Sequence, residues 1–148
     1  MNTHPYLRAY MAGIFVPSLA LLVAVTAFSV ARLVLQVPIP MERVIIFPMA
    51  LVPNAFGLWN MLYVWSRPHH HLPIGLHGAL LPLIMMSIGA FSATCGGFLA
   101  IGAHGVIWFQ AISVPYVLVA LWFLVALVLY YLVWKYVVGF LNQVLGIA

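Results

Sequence analysis

Six histidines, one cysteine and one glutamate are the residues of this chain suited to metal binding, nucleophilic attack or proton transfer. His69, His70 and His71 are consecutive. Neighbours in an extended loop point in alternating directions and do not make a facial metal site by themselves. Beside Arg67 they read as a weakly basic patch that gains charge below about pH 6.5 and contacts anionic lipid. His77 and His104 are 27 positions apart, about 40 Å along a helix, so one cofactor cannot take both. Either is a candidate axial ligand for a chlorophyll or haem. The simpler reading is an interfacial imidazole bonded to water, lipid phosphate or a loop carbonyl. Cys95 is alone, which excludes an internal disulfide, a CxxC redox pair and a thiolate metal cluster. A buried thiol with no basic neighbour is expected to be inert.

Glu42 is the only acid, and it adjoins Arg43. Paired-carboxylate hydrolysis, carboxylate-bridged metal centres and a Ser-His-Asp triad therefore lack their parts. A proton- or sodium-coupled transporter normally needs an ionisable group inside the bilayer, and no span carries a carboxylate. A Gly-rich phosphate loop with its lysine is absent too. No catalytic residue, metal site or resident cofactor is expected, and the chain reads as a non-enzyme.

Two groups of residues point to binding or packing. After Pro53 come Asn54, Gly57 and Asn60. A proline within a helix removes a backbone hydrogen bond, so 53–60 reads either as a broken helix lining a ligand site or as a kink whose amides join neighbouring helices. Asn54 and Asn60 lie about 240° apart around a helix, which argues against a two-amide site on this helix alone. Further on, Gly89, Ala93 and Gly97 repeat every four residues beside a parallel row of Ser92, Gly96 and Ala100. Such rows let helix backbones approach closely.

The elements that position these residues follow from composition. Of 148 residues, 67% are hydrophobic and only 4% charged. An ordinary soluble domain is about half apolar and about a quarter charged, so a water-soluble or disordered chain is excluded. The net charge of +4 forms no basic stripe for nucleic acid. A bilayer core of about 30 Å needs roughly 20 apolar residues of helix. Four stretches meet that length, near 12–37, 44–65, 78–103 and 114–139. The expected fold is all-α: one integral membrane domain, a four-helix bundle, with span two kinked by Pro48 and Pro53. Pro38 and Pro40 break the first connection, the 66–73 segment makes a polar loop, and 102–105 ends span three with small residues. Pro115 suits the first turn of span four. The first span is too long for the apolar part of a signal peptide and reads as an uncleaved anchor.

Arg8, Arg67 and Lys135 fall on one side of this topology, against Arg32 and Arg43 on the other. The bias in lysine and arginine favours cytoplasmic N- and C-termini in a bacterial-type inner membrane. Tyr63, Trp65, Trp134 and Tyr136 mark the interfaces. Span four is large and apolar nearly all round, suited to lipid or a partner subunit. The expected role is a non-catalytic structural or accessory subunit of a larger membrane complex, or a homo-oligomer. The alternatives are a carrier of a neutral or lipidic molecule at Asn54, Gly57 and Asn60, and a pigment- or haem-bearing subunit.

Overall fold

The computed structural model describes residues 4–36, 47–69, 71–95, 97, 99–108 and 112–147. Helix α1 is Pro5–Leu33, α2 is Phe47–Ser66 and α3 is Ile74–Cys95. A small antiparallel sheet follows, with β1 Leu99–Ile101, β2 Gly105–Trp108 and β3 Ile112–Pro115 in the order β1-β2-β3. The chain ends in α4 Tyr116–Leu132, a π-helical segment Val133–Val138 and α5 Gly139–Val144. Three described helices are long and apolar enough to cross a membrane: Pro5–Leu33, Ile74–Cys95 and the continuous run Tyr116–Val144. The protein is therefore mostly helical and fits a membrane location.

One feature of the architecture differs from the sequence expectation. The fold is not purely α, because span three stops at Cys95 and the next twenty residues hold the sheet. The reason is the Gly-Ala-His-Gly turn. Gly102 N donates to Gly105 O at 2.9 Å, and Ile101 pairs with Val106 across the four residues 102–105. A short loop flanked by β-branched residues is a hairpin signal, masked here by an unbroken apolar run. Gly105 is needed because a methyl there would collide with the Val114 carbonyl of β3. The α2 helix continues as one helix through Pro53, so of the two readings of 53–60 the broken helix is not the one seen. The turn at 37–40, Glu42 and Arg43 lie outside the described residues.

The chain divides into two compact units. The first comprises 1–72 and 137–148, with α1 packed on α2 and touched by α5. The α1 helix opens on Pro5, whose missing N–H costs nothing in a first turn. Its buried residues are Ala9, Ala12, Gly13 and Pro17. A methyl on Gly13 would meet Phe56 O at 2.5 Å and Gly57 Cα at 2.9 Å. The two backbones are thus nearly in contact, and their pairing (Ala9 with Asn60, Gly13 with Phe56 and Gly57) runs antiparallel.

The second unit, 73–136, packs α3 on α4 beside the sheet. Here the close approach is at Gly75 and Gly78. A methyl on Gly75 would lie 2.8 Å from the Tyr131 ring, and one on Gly78 would overlap Trp134. Each unit therefore opens with a helix carrying Gly-x-x-x-Pro, Gly13 to Pro17 and Gly78 to Pro82, with the glycine at the contact. Three hydroxyls within the helices are satisfied locally. Thr26 donates to Leu22 O at 2.8 Å, Ser87 to Leu83 O at 2.7 Å and Thr94 to Ala90 O at 2.8 Å. This back-bonding removes the cost of a bare hydroxyl in an apolar setting.

The expected packing rows on α3 are placed differently. Gly89 is exposed with open space around it, and Gly97 lies beyond the helix end at φ +73°. Ala100 sits exposed on β1. Ser92 and Ala93 stay on α3, with Ala93 half-buried, and Gly96 lies outside the described residues. The helix ends too early to hold an eight-residue row, and α4 approaches α3 at its opposite end. Gly89→Ala should then raise stability slightly, by about 0.5–1 kcal/mol, through helix propensity. Gly97→Ala should cost about 1–2 kcal/mol through its left-handed backbone, not through overpacking. Thermal melts of both variants in one detergent check the opposite signs.

Candidate functional site

The polar interior lies in the first unit. Asn60 is fully buried, and Asn142 on α5 is 2% exposed. Asn60 Nδ2 donates to Ala9 O at 2.8 Å and to Asn142 Oδ1 at 2.8 Å. Asn142 Nδ2 donates back to Asn60 Oδ1 at 3.1 Å. The two amides form a reciprocal pair, with the second Asn60 hydrogen on a helix carbonyl. This joins α1, α2 and α5 at one point. An amide has two donors and an acceptor oxygen, and at Asn60 both donors and the oxygen are engaged.

Asn54 faces α1 as well, because Tyr10 Oη donates to Asn54 Oδ1. The two asparagines do not share a face of α2, as the helical spacing implies. They nevertheless reach consecutive residues of α1, since the long Tyr10 side chain extends around the helix while Ala9 offers its backbone. Gly57 lies between them and is buried. A methyl there would meet the Tyr10 ring at 2.5 Å and Ile14 Cγ2 at 2.8 Å. The structure thus brings Asn54, Gly57 and Asn60 together along α1 as helix-joining groups.

Sequence reasoning missed Asn142, Ala9, Tyr10 and Gly13. Asn142 did carry a signal: an amide near the end of an apolar segment needs a partner. Spacing alone could not name Asn60, 82 positions away. Gly13, four residues before Pro17, repeats the arrangement of Gly78 and Pro82 but is a weak pattern without the helix pairing.

The other candidates stand apart from this cluster. His77 is 6% exposed in the first turn of α3. Its ring meets Trp134 edge-on, with centroids 5.8 Å apart at 61°, and Trp134 is fully buried. His104 is exposed in the turn between β1 and β2, and Cys95 is exposed at the end of α3. Among the described residues, no three His, Cys, Asp or Glu side chains group for a metal ion. Lys135 spreads its ammonium over two rings, 5.6 Å from the Tyr131 centroid and 5.1 Å from that of Tyr136. Cation–π contact of this kind suits a cation near an apolar region.

Two arginines organise one end of the first unit. Arg8 Nη1 donates to Leu145 O at 3.2 Å, and Arg67 Nη1 donates to Ile147 O at 3.3 Å. Helix C-termini leave carbonyls unpaired and carry partial negative charge, which the guanidiniums meet. The start of α1, the end of α2 and the end of α5 therefore share one end of the unit. Chemically this interior closes on itself: its amides bond to one another and to backbone, and its cations bond to helix ends. No protein-family model, curated protein or solved structure matches the chain.

Proposed function

We propose that this protein is a non-catalytic membrane subunit that assembles with other membrane chains or with copies of itself, with four spans and both termini cytoplasmic in a bacterial-type inner membrane. One observation carries the reading. The amides with the best ligand chemistry, Asn60 and Asn142, are spent on each other inside the first unit. A carrier of a neutral or lipidic molecule would need Asn60 and Gly57 open to its cargo, and both are covered by neighbouring helices. The same pairing supports α2 as the fourth span. Its 20 residues reach about 30 Å, and pairing Asn60 removes the penalty of a bare amide in lipid. The shared end of Arg8, Arg67 and the C-terminal helix suits a topology in which 1–5, 66–73 and 145–148 lie on the side favoured by positive charge.

The test places photo-reactive residues at Val117, Trp122 and Val125, all exposed on α4, in the full chain in its native membrane. Protein–protein adducts above the 16.3 kDa chain are expected. Lipid adducts alone at all three positions would overturn the assembly reading. Reporter fusions at Ala148 and within 69–71 should both read cytoplasmic, and disagreement between them would overturn the four-span topology.

A further inference from the structure

We infer that the cavity at the end of α2 binds a phosphate group, presented at that depth by an anionic lipid headgroup. The cavity has a volume of about 560 Å³ and is lined by Tyr63, Arg67, Pro68, His71 and Leu72. It lies where α2 gives way to the polar loop. That end also holds the start of α1 and the end of α5, through the Arg8 and Arg67 bonds to Leu145 and Ile147. Three helix ends meeting there put the cavity at headgroup level. Its two faces match such a ligand: Leu72 and Pro68 are apolar, while Arg67, His71 and the Tyr63 hydroxyl are polar.

The side-chain charges at this end favour an anion. Two guanidiniums contribute two positive charges, and the α1 N-terminus adds about half a charge. The ends of α2 and α5 oppose them with about half a charge each. The chain's one acid, Glu42, belongs in sequence to the connection between the far ends of α1 and α2 and is not near residues 63–72 in the sequence. A guanidinium has five N–H donors in a planar fork, so a carbonyl bond from Nη1 leaves donors for phosphate oxygens. His71 is exposed on the loop and adds an imidazole donor. Trp65 and His69, with ring centroids 6.5 Å apart, flank the same helix end as an interfacial anchor.

Native mass spectrometry of the full chain, extracted with phosphatidylglycerol, tests the site. The wild type should retain the lipid, and Arg67→Gln and His71→Gln should each weaken retention about tenfold, the loss of a hydrogen bond to a charged group. Arg32→Gln, in the last turn of α1 at the opposite end of that helix, should retain it as the wild type does. Arg67→Gln also removes the bond to Ile147 O, so His71→Gln decides the matter if that variant unfolds. Excess inorganic phosphate separates the sources. Lipid that persists identifies the headgroup as the source, while lipid that is displaced by phosphate supports the same site filled from solution. Equal retention by wild type and His71→Gln, or an equal loss in Arg32→Gln, would overturn the site.

Discussion

Asn60→Leu should destabilise the protein by about 2 kcal/mol, and Asn142→Leu by a similar amount, while the double substitution should cost clearly less than their sum. Three hydrogen bonds are involved, two within the amide pair and one from Asn60 to Ala9 O. Interhelical bonds in membranes average about 0.6 kcal/mol each, so losing all three costs about 2 kcal/mol. Counted instead as the cost of stranding a buried partner, the loss is about 1–3 kcal/mol, a range that contains the same figure. Replacing both removes the stranded group, so a coupling of about 1 kcal/mol is expected. A double-mutant cycle by denaturant titration in mixed micelles measures it. Strictly additive single effects would show that the pair does not join α2 to α5. Asn54→Ala should be milder, since Asn54 is exposed and its bond from Tyr10 Oη is not buried.

Gly13→Ala should be the most damaging single methyl in the first unit, at about 3 kcal/mol. The added Cβ would sit 2.5 Å from Phe56 O and 2.9 Å from Gly57 Cα. Both are backbone atoms on a packed helix, so neither can swing aside, and α1 and α2 must separate along their contact. Overpacking costs of about 1–3 kcal/mol are typical, and a backbone clash belongs at the upper end. Separation would also stretch the Ala9–Asn60 bond one turn away. Gly57→Ala should cost less, about 1–2 kcal/mol, because its nearest neighbours are the Tyr10 ring and the Ile14 side chain. That ring can rotate, at the expense of its bond to Asn54. Melting temperatures of the two variants against wild type rank them, and a Gly13→Ala variant as stable as wild type would refute the close α1–α2 contact.

Much of the architecture was written in the apolar content and the turn residues. A chain with one acid and two-thirds hydrophobic residues has to place helices in a bilayer, because neither water nor a small core can take that surface. The helix ends near Leu33, Ser66 and Ile74 follow from prolines and polar loop residues that act locally. Arg8 and Arg67 share one end of the first unit through the carbonyls of Leu145 and Ile147. Other features depended on which helix meets which. The small-residue row at Gly89, Ala93 and Gly97 satisfied the spacing rule for close packing, yet contact depends on where a partner helix passes. In the second unit that place is Gly75 and Gly78. The hairpin at 99–108 was hidden for a related reason: an apolar run reads as membrane helix until a Gly-x-x-Gly turn is weighed against it.

From the sequence alone came the apolar surroundings that the helices need and the approximate helix ends, both set by local composition and backbone propensity. Tertiary structure alone decided what the polar residues do. Asn60 and Asn142 are separated by 82 positions, and an asparagine in an apolar helix is equally suited to a ligand or to another amide. Only the antiparallel pairing of α1 with α2, made tight by Gly13, and the return of α5 to the same place chose the amide. That choice turned a candidate binding residue into a fastener between helices.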